Sequence, residues 1–468
     1  MRFIAVILLS WAVNTSCHAQ AKASTIDILI NKLAARGQFN GSILVAEHGK
    51  LIFEGGFGKA DVENNISFSP VTPCYLGSLA KQFTAMAVMI LKDQHKLSLS
   101  DPLSKYISGF PPYADKITIR HLLNHTSGIP DYVGLGLEHP QLTDTDVLNA
   151  LIKQESLEFI PGDKFDYSNS NYVLLAIIIE KVSGQKYSSF LKKYIFEPLK
   201  MNRTFVFELP MHKKDISRGY SRFGDIYDYD LLTYGEGGIY STVQDMFKWD
   251  QALYTDKLVN QSTLKEIFAP GKLNDGSFSN YGFGWGIGDY YGQTTYSHAG
   301  RYGGFNTYIK RFSKDKNTII FLTNSDYKNM SAIGNAIINV LYEKQYNLPK
   351  LSVAEAMNKM YLSGGIESAK QLYKSLRNDN DTSYDLSESE LNEFGYHLLG
   401  LNKSSDAIEI LKLNVEAFPS SWNVYDGLGE AYMKHNDTVL AIKNYKKSLE
   451  LNPKNSNAAS MLKSLNKE

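Results

Sequence analysis

The last part of the chain repeats itself. Gly395 and Gly429 stand 34 residues apart, and so do Ala407 and Ala441, Leu411 and Tyr445, and Pro419 and Pro453. A period of that length holds one supersecondary unit per copy, and here it reads as two antiparallel helices. Glycine falls where the helices of a pair cross closely, and proline stops the second of them. Tyr425, Leu428, Gly429, Tyr432, Ala441, Tyr445 and Pro453 make the better copy. Upstream, 353–362 and 366–377 flank Gly364-Gly365 as a degenerate first hairpin, and an acidic loop over 378–389 follows. Residues 457–465 are expected to cap the stack. The competing reading is an unrelated helical bundle. Either way, 351–468 is expected to be all-α.

The beginning of the chain has a different character. Arg2 precedes an apolar run over 3–13, too short to span a bilayer but long enough for a secretory h-region. Ala19-Gln20-Ala21 fits a signal cleavage site, so 1–21 reads as a signal peptide and the protein as periplasmic or secreted. A lipoprotein signal ending at Cys17 competes with it, but Asn14-Thr15-Ser16 lacks the apolar residue usual three positions before such a cysteine. A buried N-terminal helix is the plain alternative. After cleavage Cys74 is the remaining cysteine, so no internal disulfide is available and the core must supply the stability. No later stretch reaches the roughly 18 apolar residues of a membrane span. The 49 basic and 49 acidic residues cancel, which removes the electrostatic case for nucleic acid.

Between these ends, 24–345 mixes both kinds of element. Residues 42–46 and 51–56 flank His48-Gly49 as a β-hairpin. Three more strands are expected at 294–298, 305–312 and 318–324. Helical spacing or helix-start signals occur at 25–36, 79–95, 119–124, 143–153, 172–183, 243–253 and 332–341. The fold expected is α+β, an antiparallel sheet flanked by helices with a mostly helical insertion. The all-α repeat domain follows it.

Ser78-Leu79-Ala80-Lys81 is one of eight Ser-x-x-Lys elements in the chain. It differs from the others because it opens a long apolar helix. Free N–H groups and the positive dipole end there favour a developing negative charge. Lys81 projects one turn on, from the same side. Burial would ease the loss of its proton. The bland reading is an N-capping serine followed by a snorkelling lysine. Tyr167-Ser168-Asn169 lies in an expected loop before an apolar helix. A tyrosine near an ammonium is a candidate base, with its pKa lowered by that charge, and Asn169 offers an amide to orient a carbonyl. Here the bland reading is an Asn-rich cap. His298-Ala299-Gly300 ends an expected strand, and Gly300 permits close backbone approach. A lone strand-end histidine is otherwise structural.

In this order the three elements resemble the serine beta-lactamase and penicillin-binding-protein superfamily, and more closely its class C-like branch. The likeness extends over about 24–345. It includes Ile117-Thr118-Ile119-Arg120-His121-Leu122-Leu123-Asn124-His125-Thr126-Ser127-Gly128-Ile129, Gly235-Glu236-Gly237-Gly238-Ile239-Tyr240-Ser241-Thr242 and Tyr281-Gly282-Phe283-Gly284-Trp285. The final repeats resemble the tetratricopeptide repeat. The resemblance implies an acyl-enzyme on Ser78, with Lys81 as charge partner and Tyr167 as general base. Which of Lys81 and Tyr167 takes the proton stays open. Backbone N–H groups of Ser78 and Arg301 would form the oxyanion hole. Asn169, His298, Gly300 and Arg301 would bind substrate, and neither metal nor organic cofactor is required.

One departure bears on substrate. The superfamily's beta-lactamases carry Lys-Thr-Gly where this chain has His298-Ala299-Gly300, and a histidine of ordinary pKa is mostly neutral at pH 7. That favours a peptidase, such as a D-aminopeptidase or D-Ala-D-Ala carboxypeptidase-like enzyme, or an esterase. Beta-lactamase activity becomes the alternative. An inward Arg301 side chain would restore a cation. The substrate is a small molecule or peptide. A second class of function, an inactive scaffold binding a protein through its repeats, is opposed by the filled Ser78, Lys81 and Tyr167 positions.

Overall fold

The computed structural model describes residues 2–210, 216–228, 230–326 and 330–465, with side chains described from residue 19 onward. The apolar run of the expected signal segment lies outside the described side chains. The chain divides into two compact units between Leu348 and Pro349.

The first unit is built on one antiparallel sheet. Its strands are β1 (Gly41–Glu47), β2 (Lys50–Phe57), β3 (Gly286–Tyr290), β4 (Gln293–Tyr302), β5 (Phe305–Phe312) and β6 (Asn317–Thr323). Their order is β2-β1-β6-β5-β4-β3. The register from Gly41 opposite Thr323 to Ala46 opposite Thr318 joins the two sequence ends of the unit. Strand alternation sends Ile43, Val45, Ile319 and Phe321 to one face and Leu44, Ala46, Ile320 and Leu322 to the other. The first face is covered by α1 (Arg2–Ala35), through Ile26, Leu29, Ile30 and Leu33 at helical spacing, and by α7 (Met330–Leu341).

The second face carries the helical insertion. Its centre is α2 (Lys81–Asp93), buried from Lys81 to Leu91. Around it lie α3 (Ile119–Leu123), α4 (Asp144–Ile152), α5 (Asn169–Ser183) and α6 (Val243–Ala252). A buried ion pair pins α6 to the sheet. Arg311 Nε donates to Asp250 Oδ1 at 2.9 Å, Thr318 donates to Asp250 Oδ2 at 2.9 Å, and the Tyr254 ring covers the guanidinium at 4.3 Å. The architecture is α+β, as the pattern of elements predicts.

The differences from expectation are local. β3 was not anticipated, because Gly286 and Gly288 depress strand propensity. β4 runs ten residues instead of five, so His298-Ala299-Gly300 lies within the strand and not at its end. α5 begins at Asn169, three residues before the expected start, which puts Tyr-x-Asn across a helix N-terminus instead of in a loop.

The second unit is helical. α8 (Val353–Asn378) is broken at Gly365, whose φ of 75° no continuing helix accommodates. α9 (Glu388–Gly400), α10 (Ser404–Ala417), α11 (Trp422–Lys434), α12 (Thr438–Leu451) and α13 (Ser456–Leu465) follow. A Cβ on Gly395 would sit 2.8 Å from Leu411, and one on Gly429 would sit 3.0 Å from Tyr445. The 34-residue spacing therefore repeats a close helix crossing. The expected acidic loop is partly ordered, since Tyr384–Asp385 pairs in parallel with Leu351–Ser352.

Candidate active site

Ser78 lies in a short 3-10 turn, Gly77–Ala80, that runs directly into α2. The turn abuts β4, and two glycines make that approach possible. Gly77 has φ +54°, and a Cβ on it would lie 2.7 Å from the Arg301 amide nitrogen. A Cβ on Gly300 would lie 1.9 Å from the Leu76 carbonyl oxygen. The Arg301 backbone nitrogen thus sits beside the Ser78 turn. There it and the Ser78 amide can serve one carbonyl oxygen.

Lys81 is fully buried and its Nζ meets three oxygens. Ser78 Oγ is at 2.9 Å, Asn169 Oδ1 at 2.8 Å and the Glu236 carbonyl at 3.1 Å. Burial is the main influence on this group and lowers its pKa to about 7, against the opposing charges of Glu236 and Asp131. The geometry suits an amine. Asn169 Oδ1 and the Glu236 carbonyl only accept, so they take two N–H bonds. As an ammonium Lys81 donates to Ser78 Oγ as well; once deprotonated, it turns its lone pair to the Ser78 hydroxyl, which then donates.

Asn169 is held from both ends. Its backbone N–H donates to Asp131 Oδ1 at 3.2 Å and its Nδ2 to Asp131 Oδ2 at 3.0 Å, which turns Oδ1 towards Lys81. The acceptor expected to meet substrate therefore serves Lys81 instead. The start of α5 is wrapped by the segment after α3. Ser127 donates to Asn171 Oδ1 at 2.6 Å, and the Ser170 hydroxyl donates to the Pro130 carbonyl at 2.8 Å. His125 Nδ1 accepts from the Ser168 backbone at 3.2 Å. Its ring lies 4.3 Å from that of Tyr167.

Tyr167 departs from the expected electrostatics. Burial pushes its phenol well above the ordinary range. The neighbouring Ser78 hydroxyl offsets this in part, while Asp131 and Glu236 add to it. Its hydroxyl is buried without a hydrogen-bond partner of ordinary geometry. Lys81 Nζ lies 5.0 Å from the ring centroid, over the aromatic face. Burial, not the Lys81 charge, governs this group, which is a phenol with a hydroxyl to donate.

His298 is neutral and fully engaged. Its Nδ1 lies 2.7 Å from the Ala299 carbonyl, which only accepts, so Nδ1 carries the proton. Nε2 then accepts from the Tyr281 hydroxyl at 2.9 Å. Burial, with the Lys81 charge second, pushes its pKa down to about 4. The Arg301 side chain is 58% exposed and pairs with Asp326, so it is not turned inward. Neither residue presents a cation beside Ser78.

Asp131, Glu236, Tyr281 and His125 were not among the candidate residues, although the last three lie in segments the resemblance drew on. Their roles depend on burial and on partners distant in sequence. Two surface hollows of about 490 and 530 Å³, one by Lys192 and Phe205 and one by Asp61 and Arg218, include none of these residues.

This fold and this grouping define a serine hydrolase of the beta-lactamase and penicillin-binding-protein superfamily. The chain belongs to the Beta-lactamase family, which matches residues 26–343. It is 33% identical over 358 residues to a penicillin-binding protein of Bacillus subtilis, covering 71% of this chain and 78% of that one. It is 29% identical over 246 residues to the teichoic acid D-alanine hydrolase of Staphylococcus aureus, covering 52% and 58%. Among solved structures, the octameric penicillin-binding protein homologue from Pyrococcus abyssi is similar, with a TM-score of 0.63 and 29% identity. The match covers 72% of this chain and 81% of that one.

Proposed function

We propose that this chain is an exported, class C-like hydrolase of neutral ester or amide substrates, a D-aminopeptidase-like peptidase or an esterase. Its parts would be a signal peptide over 1–21, a hydrolase domain over 24–345 and tetratricopeptide-like repeats over 351–468. The observation that carries the substrate reading is His298, which is neutral with both ring nitrogens committed, while Arg301 faces Asp326. An anionic group bound beside β4 would meet no compensating charge there, and an unpaired buried charge is costly. A D-Ala-D-Ala carboxypeptidase, whose substrate ends in a carboxylate, fits less well. The Staphylococcus aureus relative, a teichoic acid D-alanine hydrolase, agrees with a D-configured acyl group.

In the mechanism, Ser78 Oγ attacks the carbonyl carbon as the Lys81 amine takes its proton. The oxyanion is held by the Ser78 and Arg301 amides. The C–N or C–O bond then breaks, the leaving group takes its proton from the Tyr167 hydroxyl, and Lys81 reprotonates Tyr167. Water attacks the acyl-enzyme by the reverse assignment, which frees Ser78.

The test is fluorophosphonate labelling followed by a panel of a nitrophenyl ester, a D-alanyl amide, a D-Ala-D-Ala peptide and a chromogenic cephalosporin. Faster turnover of the first two is expected. Cephalosporin hydrolysis at least as fast as ester hydrolysis would reverse the substrate reading.

A further inference from the structure

Glu236 is a buried carboxyl that the mechanism above does not use. Thr84 donates to the Gly235 carbonyl at 2.6 Å, and this bond fixes the 233–238 segment against α2. The Glu236 main-chain carbonyl is thereby brought to Lys81. The Glu236 side chain is 4% exposed. Its Oε1 accepts hydroxyl bonds from Thr233 and from Tyr132, the latter at 3.3 Å, while Oε2 is buried without a partner. Burial pushes the Glu236 carboxyl above its ordinary range, and the Thr233 bond, the Lys81 charge and the Tyr132 bond work against that and favour the carboxylate. Lys81 of α2 donates to the main-chain carbonyl of the same residue at 3.1 Å, and the Lys81 and Glu236 charges act on one another.

The other charged or titratable groups around Glu236 and Lys81 are Asp131 and Tyr132 after α3, Asp144 opening α4, Tyr167 before α5, Tyr187, and the imidazoles of His125 and His298, which burial keeps neutral. Burial and the Glu236 charge hold Asp144 well above an ordinary carboxyl, so it moves towards its neutral form. Asp131 is committed to both nitrogens of Asn169. Neither removes the need of Glu236 for a counter-charge.

We propose that the Glu236 carboxylate is the buried counter-charge of Lys81 and sets the pH at which Lys81 becomes the amine that takes the Ser78 proton. Glu236 touches no substrate and acts through Lys81, so it is a positioning residue. The inference rests on the Ser78 hydrolase reading. Its sign is definite: a negative neighbour retains the lysine proton, so removing the charge releases that proton at lower pH.

The experiment measures the rate of fluorophosphonate labelling against pH in the full-length protein, the Glu236→Gln variant and the Tyr132→Phe variant. Glu236→Gln keeps the main-chain carbonyl and removes only the charge. The acid limb of labelling should move to lower pH by about one unit or more. Tyr132→Phe withdraws one donor from the carboxylate and should move the limb the same way by less. It also provides the test if Glu236→Gln does not fold. A limb that stays in place, or a folded Glu236→Gln protein that labels at no pH, overturns the assignment. Labelling that survives Ser78→Ala would instead overturn the hydrolase reading itself, so the two failures are distinguishable.

Discussion

Tyr281 Oη donates to His298 Nε2 at 2.9 Å, across 17 residues of sequence, and with the Ala299 carbonyl it leaves the imidazole without a free nitrogen. A histidine held in this way cannot serve as the cation that the superfamily's beta-lactamases place at this position. It fixes the strand beside Ser78 and leaves the site neutral there.

Specificity should therefore respond to charge at this position. His298→Lys is expected to raise kcat/KM for acid-bearing lactams relative to neutral esters. Measuring both substrates on one preparation gives the ratio. If the ratio does not change, the residue does not face the acid group of the substrate.

The same histidine should make the fold acid-sensitive. Its pKa falls from 6.5 in the unfolded chain to about 4 in the native state, so between those values the native protein binds fewer protons. The stability present above pH 6.5 is thus lost as the pH falls towards 4. The shift corresponds to about 3 kcal/mol. Denaturant unfolding of the protein and of His298→Gln at pH 7 and pH 4 should show the parent losing that much relative to the variant. Parallel losses would remove His298 from the account.

Ser78→Ala should abolish fluorophosphonate labelling and lower turnover at least ~10³-fold while the folded signal survives. Retained turnover would place the nucleophile elsewhere.

Tyr167→Phe separates the two candidate proton carriers. A fluoride leaving group needs no proton, so labelling of Ser78 should persist in this variant. Turnover of a D-alanyl amide, whose amine must be protonated, should fall by about 10²-fold or more. If labelling and turnover fall together, Tyr167 and not Lys81 takes the Ser78 proton.

The residues grouped at the candidate site were legible because their signals are local. Ser78 and Lys81 are one turn apart at the start of an apolar helix, and Tyr167 and Asn169 flank the start of another. The sheet was legible from strand alternation, except where Gly286 and Gly288 concealed β3. The protonation states were not legible. The neutrality of His298 needs Tyr281, the phenol of Tyr167 needs its buried hydroxyl, and the orientation of Asn169 needs Asp131, 38 residues upstream. Such pairings arise only when the tertiary fold excludes water, and neither residue spacing nor composition encodes them.

The helical second unit should be dispensable for the chemistry on small substrates. Every residue placed around Ser78 precedes Leu348, where the first compact unit ends. That unit has its own core on both faces of the sheet. Residues 351–468 carry 13 Lys and Arg against 16 Asp and Glu, and the 34-residue period, if it holds two good repeats and one degenerate copy, would be near the minimum for a stable stack. Truncation after Pro349 is therefore expected to preserve ester turnover within a few-fold and to abolish self-association or binding of a protein partner. Sedimentation and ester kinetics on the same preparation provide the check. A folded, soluble truncation without ester activity would mean that the repeats help build the active site, and the functional division at Pro349 would be wrong.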